Sequence, residues 1–136
     1  MSEPRQMVQR LLRAINHHDL EALVACFAEG YENETPAHPA RGFRGSAQVR
    51  RNWRQIFAFV PDLRADVTRT AVDGDVIWTE WEMTGTRRDG SAHCMRGVAI
   101  FGVDGSVARW ARFYLEPVDL ASTTVDDAVR EHLERR

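Results

Sequence analysis

The stretch "RWARFYLEPVD", residues 109 to 119, places Arg112, Tyr114 and Glu116 at every second position, with Trp110 just before them. Alternate side chains of an extended strand share a face, so a carboxyl, a phenol, a guanidinium and an indole would stand together. Facing water, such a row is ordinary solvated surface. Lining a cavity, it supplies a carboxyl able to move a proton, its pKa raised by desolvation against aromatic walls and lowered by a guanidinium. The alternation alone leaves both readings open.

Other chemistries are narrowed by composition. All 18 basic residues are arginine, so Schiff-base chemistry on a lysine and P-loop phosphate binding through one are excluded within this chain. Ser46, Ser91 and Ser106 each follow a glycine and none sits in a G-x-S-x-G motif, which argues against a serine nucleophile of that kind. Cys26 and Cys94 stand far apart without C-x-x-C spacing, and read as small buried side chains rather than a disulfide or zinc site. His17, His18 and Asp19 look like ligands on paper, but fall at a helix corner where capping and solvation explain them. His93 is a lone histidine near a strand start, a lesser candidate for proton transfer. The reading is of no metal and no cofactor. A net charge of −2 argues against nucleic acid as a partner. No apolar run approaches the length of a membrane span, and "MSEPRQMVQR" lacks the pattern of a secretory signal. The expectation is a cytoplasmic protein with no membrane partner.

The elements that must position these residues follow from periodicity. A first helix is expected from an N-cap at Ser2 to about His17, with Val8, Leu11, Leu12 and Ile15 on one face. Asp19 caps a second, "LEALVACFAEG", stopped by Gly30. After an extended piece and a Pro/Gly-rich loop, Ser46 opens a third helix with Val49, Trp53, Ile56, Phe57 and Val60 as its apolar stripe. From Leu63 onward, Asp73-Gly74, Asp89-Gly90 and Asp104-Gly105 punctuate apolar runs, predicting four antiparallel strands in a meander. Residues 1–120 read as a single domain and 121–136 as a helical tail starting near Ser122. Helices gathered ahead of an antiparallel sheet make an α+β layer.

In "DVIWTEWEMTGT", Ile77, Thr79, Trp81 and Met83 form the face expected under the helices, because Glu80 and Glu82 would repel each other in a dry interior. Trp78 then lies outside among charges, which suits a subunit interface. The last strand divides into Arg109, Ala111, Phe113 and Leu115 against Trp110, Arg112, Tyr114 and Glu116. The phase of Arg96 in "SAHCMRGVAIF" is not fixed by pattern.

The helix hairpin, "YENETP", the helix ending "FVPDL" and a meander with "GFRG", "GTRRDG" and "RGVAIF" closing on "YLEP" resemble the nuclear transport factor 2-like superfamily, and within it the SnoaL-like group. The resemblance spans roughly residues 5–118. It implies a cone-shaped fold in which N-terminal helices pack in a strongly curved antiparallel sheet, and a homodimer through the outer sheet face. Tyr31 and Asn33 match a tyrosine and asparagine two apart in limonene epoxide hydrolases. Where those enzymes carry an arginine and an aspartate on the strand here reading "WTEWEMTGT", this chain has Trp81 and Met83, so the same epoxide-opening mechanism is not expected. Glu116 is similar in place to the pocket acid of SnoaL-like cyclases, which favours the lined-cavity reading of the last strand.

The resulting expectation is a pocket protein performing cofactor-independent general acid/base chemistry, cyclase- or isomerase-like, on a small hydrophobic oxygenated cyclic molecule. Glu116 would be the acid/base, with Tyr31 and Asn33 holding an enolate oxygen. Trp53, Trp81, Met83, Arg96, Trp110, Arg112 and Tyr114 would contact the substrate. The alternatives are a non-catalytic binder of a hydrophobic metabolite, or a dimerisation domain using the Trp78 face.

Overall fold

The computed structural model describes residues 3–134, so the N-cap expected at Ser2 lies outside the described residues. Helix α1 (Glu3–Asn16) buries Met7, Val8, Leu11, Ala14 and Ile15, an i, i+4, i+7 stripe that fixes one helix face against the core. Helix α2 (Leu20–Val24) is shorter than its sequence implies, although Asp19 caps it by accepting from the Ala22 amide. Gly30 does not stop a helix. Strand β1 (Phe27–Glu34) begins three residues after α2, because burying Phe27 and Tyr31 on the inner face outweighs a further helical turn.

A 3₁₀ turn (Pro39–Arg41) and the two-residue strand β2 (Phe43–Arg44) lead into helix α3 (Ser46–Phe59). Its N-cap is Gly45 at φ 94°, without a side-chain cap, so the expected Ser46 cap is displaced by one residue. The conformation demands glycine, and it lets the Gly45 amide donate to the Tyr31 carbonyl.

Strands β3 (Arg64–Asp73), β4 (Val76–Thr86), β5 (Ala92–Asp104) and β6 (Val107–Pro117) form the predicted antiparallel meander, turning at the three Asp-Gly pairs. The full sheet runs β2-β1-β6-β5-β4-β3. It is antiparallel except where β1 runs parallel to β6, a pairing that adds β1 and β2 to the meander and leaves β2 and β3 as the edges. Register shifts in β3, β5–β6 and β1 bend it. Gly97 contributes to the bend, since a Cβ there would overlap the Tyr114 carbonyl.

Two polar devices pin the helices to the sheet. The Asn16 amide donates to the Ala65 carbonyl at 3.0 Å and accepts from the Ala65 amide at 2.7 Å, completing the free edge of β3. His18 reaches the Leu63 carbonyl at 2.9 Å and stacks on Phe57 at 4.7 Å, so the histidine corner is structural. Thr124 caps the last helix, α4 (Val125–Glu134), through its hydroxyl and the Asp127 amide, two residues later than Ser122. No residue of α4 is buried. Among the described residues no helix is long and apolar enough to cross a membrane.

Candidate active site

Strand β1 has Tyr31 and Asn33 on its inner face, both buried. The Tyr31 hydroxyl donates to Asn33 Oδ1 at 2.7 Å. Burial pushes the Tyr31 pKa up, so the phenol stays protonated and remains a donor. Accepting through its oxygen leaves the Asn33 amide nitrogen as the donating end toward whatever lies inside the cone.

What lies inside is a cavity of about 410 Å³. Tyr31, Asn33, Trp53, Met83, Phe113 and Leu115 are among its walls. The stripe of α3 explains why the space persists: Val49 is buried, but Trp53 and Ile56 are only half-buried and border the cavity instead of a filled core. The volume suits a small organic molecule.

His93 and Met95 line the same cavity, carried there by β5. In the β4–β5 ladder Met83 pairs with Met95 and Gly85 with His93, so both face inward, across from residues already on the inner side. His93 Nδ1 is buried and has no hydrogen-bond partner among the described residues. Desolvation, helped by the positive charge of Arg87, lowers its pKa. A neutral imidazole keeps one ring nitrogen able to accept a proton. Asn52, Ile56 and His93 also border a second cleft running past Phe59, so His93 stands between two spaces.

The sequence-based site is corrected on β6. Ala111 is buried and Phe113 and Leu115 face the interior, which turns Trp110, Arg112, Tyr114 and Glu116 outward. Arg112 pairs with Glu34 and sits over the Trp110 ring, and Tyr114 is 44% exposed. Trp110 lies against Gly102, where any Cβ would overlap its indole. Arg96 is also outside, paired with Glu82 at 3.2 Å. Trp81 points inward as expected but is sealed in the core, its Nε1 donating to Thr79 Oγ1 at 2.6 Å. Glu116 bonds neither Arg112 nor Arg96. It is held by His38 and lies 3.9 Å from Arg41, at the rim where the Pro39–Arg41 turn meets the end of β6. Of the expected contact residues, Tyr31, Asn33, Trp53 and Met83 come together.

Sequence comparison places the fold in a family. A SnoaL-like domain family matches residues 8–113. The chain belongs to that family. Among solved structures, this SnoaL-like domain resembles wild-type IdmH, a putative polyketide cyclase from Streptomyces antibioticus, with 21% identity over 84% of this chain and 92% of that one, TM-score 0.72. An LEH-like epoxide hydrolase of M. tuberculosis is 18% identical over 84% of this chain and 83% of that one, TM-score 0.72. A protein of ketosteroid isomerase-like fold from Catenulispora acidiphila, in complex with trimethylamine, is 16% identical over 85% and 87%, TM-score 0.70. At these identities the likeness concerns the fold. Among curated proteins, none matches the chain.

The residue that pattern reading underweights in this SnoaL-like domain is His93. Its signal lies in the hairpin register. Once Trp81 and Met83 are assigned inward, the Asp89-Gly90 turn places Met95 and His93 inward too. The next turn carries Phe113 and Leu115 inward and Glu116 outward.

Proposed function

We propose that this chain is an enzyme of general acid/base chemistry, cyclase- or isomerase-like, acting on a small hydrophobic oxygenated cyclic molecule, with His93 in place of Glu116 as the proton acceptor. One observation carries this reading: a single apolar cavity has the hydrogen-bonded Tyr31–Asn33 pair and the imidazole of His93 among its walls. His93 takes a proton α to a ring carbonyl, and the electron pair left behind delocalises onto the oxygen. The Asn33 amide donates to that enolate oxygen, held in orientation by Tyr31. In a β,γ-unsaturated ketone protonated His93 returns the proton at the γ carbon of the dienolate for isomerisation; alternatively the enolate carbon attacks a second carbonyl of the same molecule, and His93 protonates the alkoxide so formed, for ring closure. Apolar walls strengthen these hydrogen bonds by excluding water. Epoxide opening is disfavoured, because Trp81 and Met83 offer no carboxylate on the inner face of β4.

We also propose that two copies pair through the outer sheet face. Support comes from Trp78, 51% exposed, and Tyr114, beside the apolar Ile100 on the strand between them.

The enzymatic reading is tested by NMR of 2-tetralone, 1-indanone and related cyclic ketones in D₂O. Deuterium entry at the α carbon above the buffer rate supports it. Buffer-rate exchange across the panel overturns it.

A further inference from the structure

Arg41 brings a charge to this cavity. It lines the wall from the loop side, and neither Asp nor Glu is among the described residues that border the space. Its guanidinium makes no hydrogen bond to protein among the described residues; its nearest anion, Glu116, stays 3.9 Å away. That carboxylate is engaged by His38 instead. The backbone beneath Arg41 is fixed by a run of turns: His38 N–H donates to Thr35, Arg41 N–H to His38 and Gly42 N–H to Pro39. Prolines at 36 and 39 add stiffness. A cation is thus held at the mouth of an apolar space, ion-paired at long range with Glu116 but with no hydrogen bond on its donor fork among the described residues.

Resting on the enzymatic reading above, we propose that the substrate of this pocket is a cyclic carboxylic acid, its carboxylate bound by Arg41 at the mouth and its ring inside against Trp53 and Phe113. A guanidinium presents paired N–H donors that match the two oxygens of a carboxylate. Apolar walls without an acidic group disfavour a cationic ligand, which would be desolvated without a counter-charge. The placement also orders the substrate: the charged end stays at the mouth, and the ring carbonyl enters toward Asn33 and His93. Glu116 competes with the ligand carboxylate for Arg41, so its charge limits affinity.

Isothermal titration calorimetry with 2-naphthoate and with 2-naphthamide, on wild type, Arg41→Gln and Glu116→Gln, tests this. The acid is expected to bind wild type about tenfold more tightly than the amide, the advantage of one charge-assisted contact at a partly exposed site. Arg41→Gln should bring the ratio close to one, weakening the acid much more than the amide, and Glu116→Gln should raise affinity for the acid alone. Arg41 is exposed, so its variant should fold, which equal melting temperatures would verify. Equal wild-type affinity for acid and amide overturns the carboxylate proposal and leaves the pocket reading standing. A preference for the acid that survives Arg41→Gln overturns the assignment to Arg41. Binding of neither probe overturns the proposal and counts against the pocket reading as well.

Discussion

At the scale of single residues, the site rests on groups kept neutral by burial. His93 has its pKa lowered chiefly by desolvation and secondarily by Arg87. As the proposed base it is unprotonated through neutral pH, and kcat/KM should decline only on the acid side of the ordinary imidazole value of about 6.5. The linked stability effect has a definite sign. Between the folded pKa and about 6.5 the unfolded chain binds the proton and the folded one does not, so stability falls as pH drops through that window. Urea denaturation at pH 7 and pH 5.5 should show a larger loss for wild type than for His93→Gln. Tyr31→Phe removes the donor that orients Asn33. It should cost about 1 kcal/mol of stability and lower kcat by roughly tenfold with little change in KM, as expected for a group acting on the oxyanion partner. The inward placement of Tyr31 and Asn33 was legible in the sequence by resemblance. Glu116 was misplaced because charge at alternate positions marks a face without saying which side of the sheet it occupies.

At the scale of elements, the three Asp-Gly turns made the meander legible, since that dipeptide fixes both the reversal and the strand pairing around it. The parallel contact of β1 with β6 was not legible, because a contact across some 80 residues leaves no local pattern in either strand. The end of α2 was misjudged for a related reason: Phe27 satisfies a helical stripe and a strand face equally well, and only its partner Ala108 decides. The phase of β5 was ambiguous because Val98 and Ile100 on its outer face are as apolar as Ala99 and Phe101 inside. Asn16 is the clearest element-level contact to test. Asn16→Leu leaves the Ala65 amide and carbonyl at the β3 edge without their partner. It should cost about 1–3 kcal/mol, read as a lower urea midpoint with unchanged slope.

At the scale of the whole molecule, the helices and the curled sheet leave one face of the sheet around a cavity and the other exposed. If the outer face joins two copies, sedimentation should give a dimer for wild type and a monomer for Trp78→Glu; a monomeric wild type would contradict that pairing. Because α4 buries nothing, a chain ending at residue 120 should keep its melting temperature within a few degrees, as surface changes of this kind do. The cone was legible from the order of its elements, whereas an open interior was not, since the same tryptophans that line a cavity can also fill one. Trp53 lines it and Trp81 is packed away. The central claim is that proton transfer occurs inside this cone at His93. It is tested most directly by measuring α-deuterium exchange into a cyclic ketone by wild type, His93→Gln and Glu116→Gln side by side. The account predicts that exchange falls to the buffer rate in His93→Gln and persists in Glu116→Gln. Exchange that survives loss of the imidazole and vanishes with the carboxylate would contradict it.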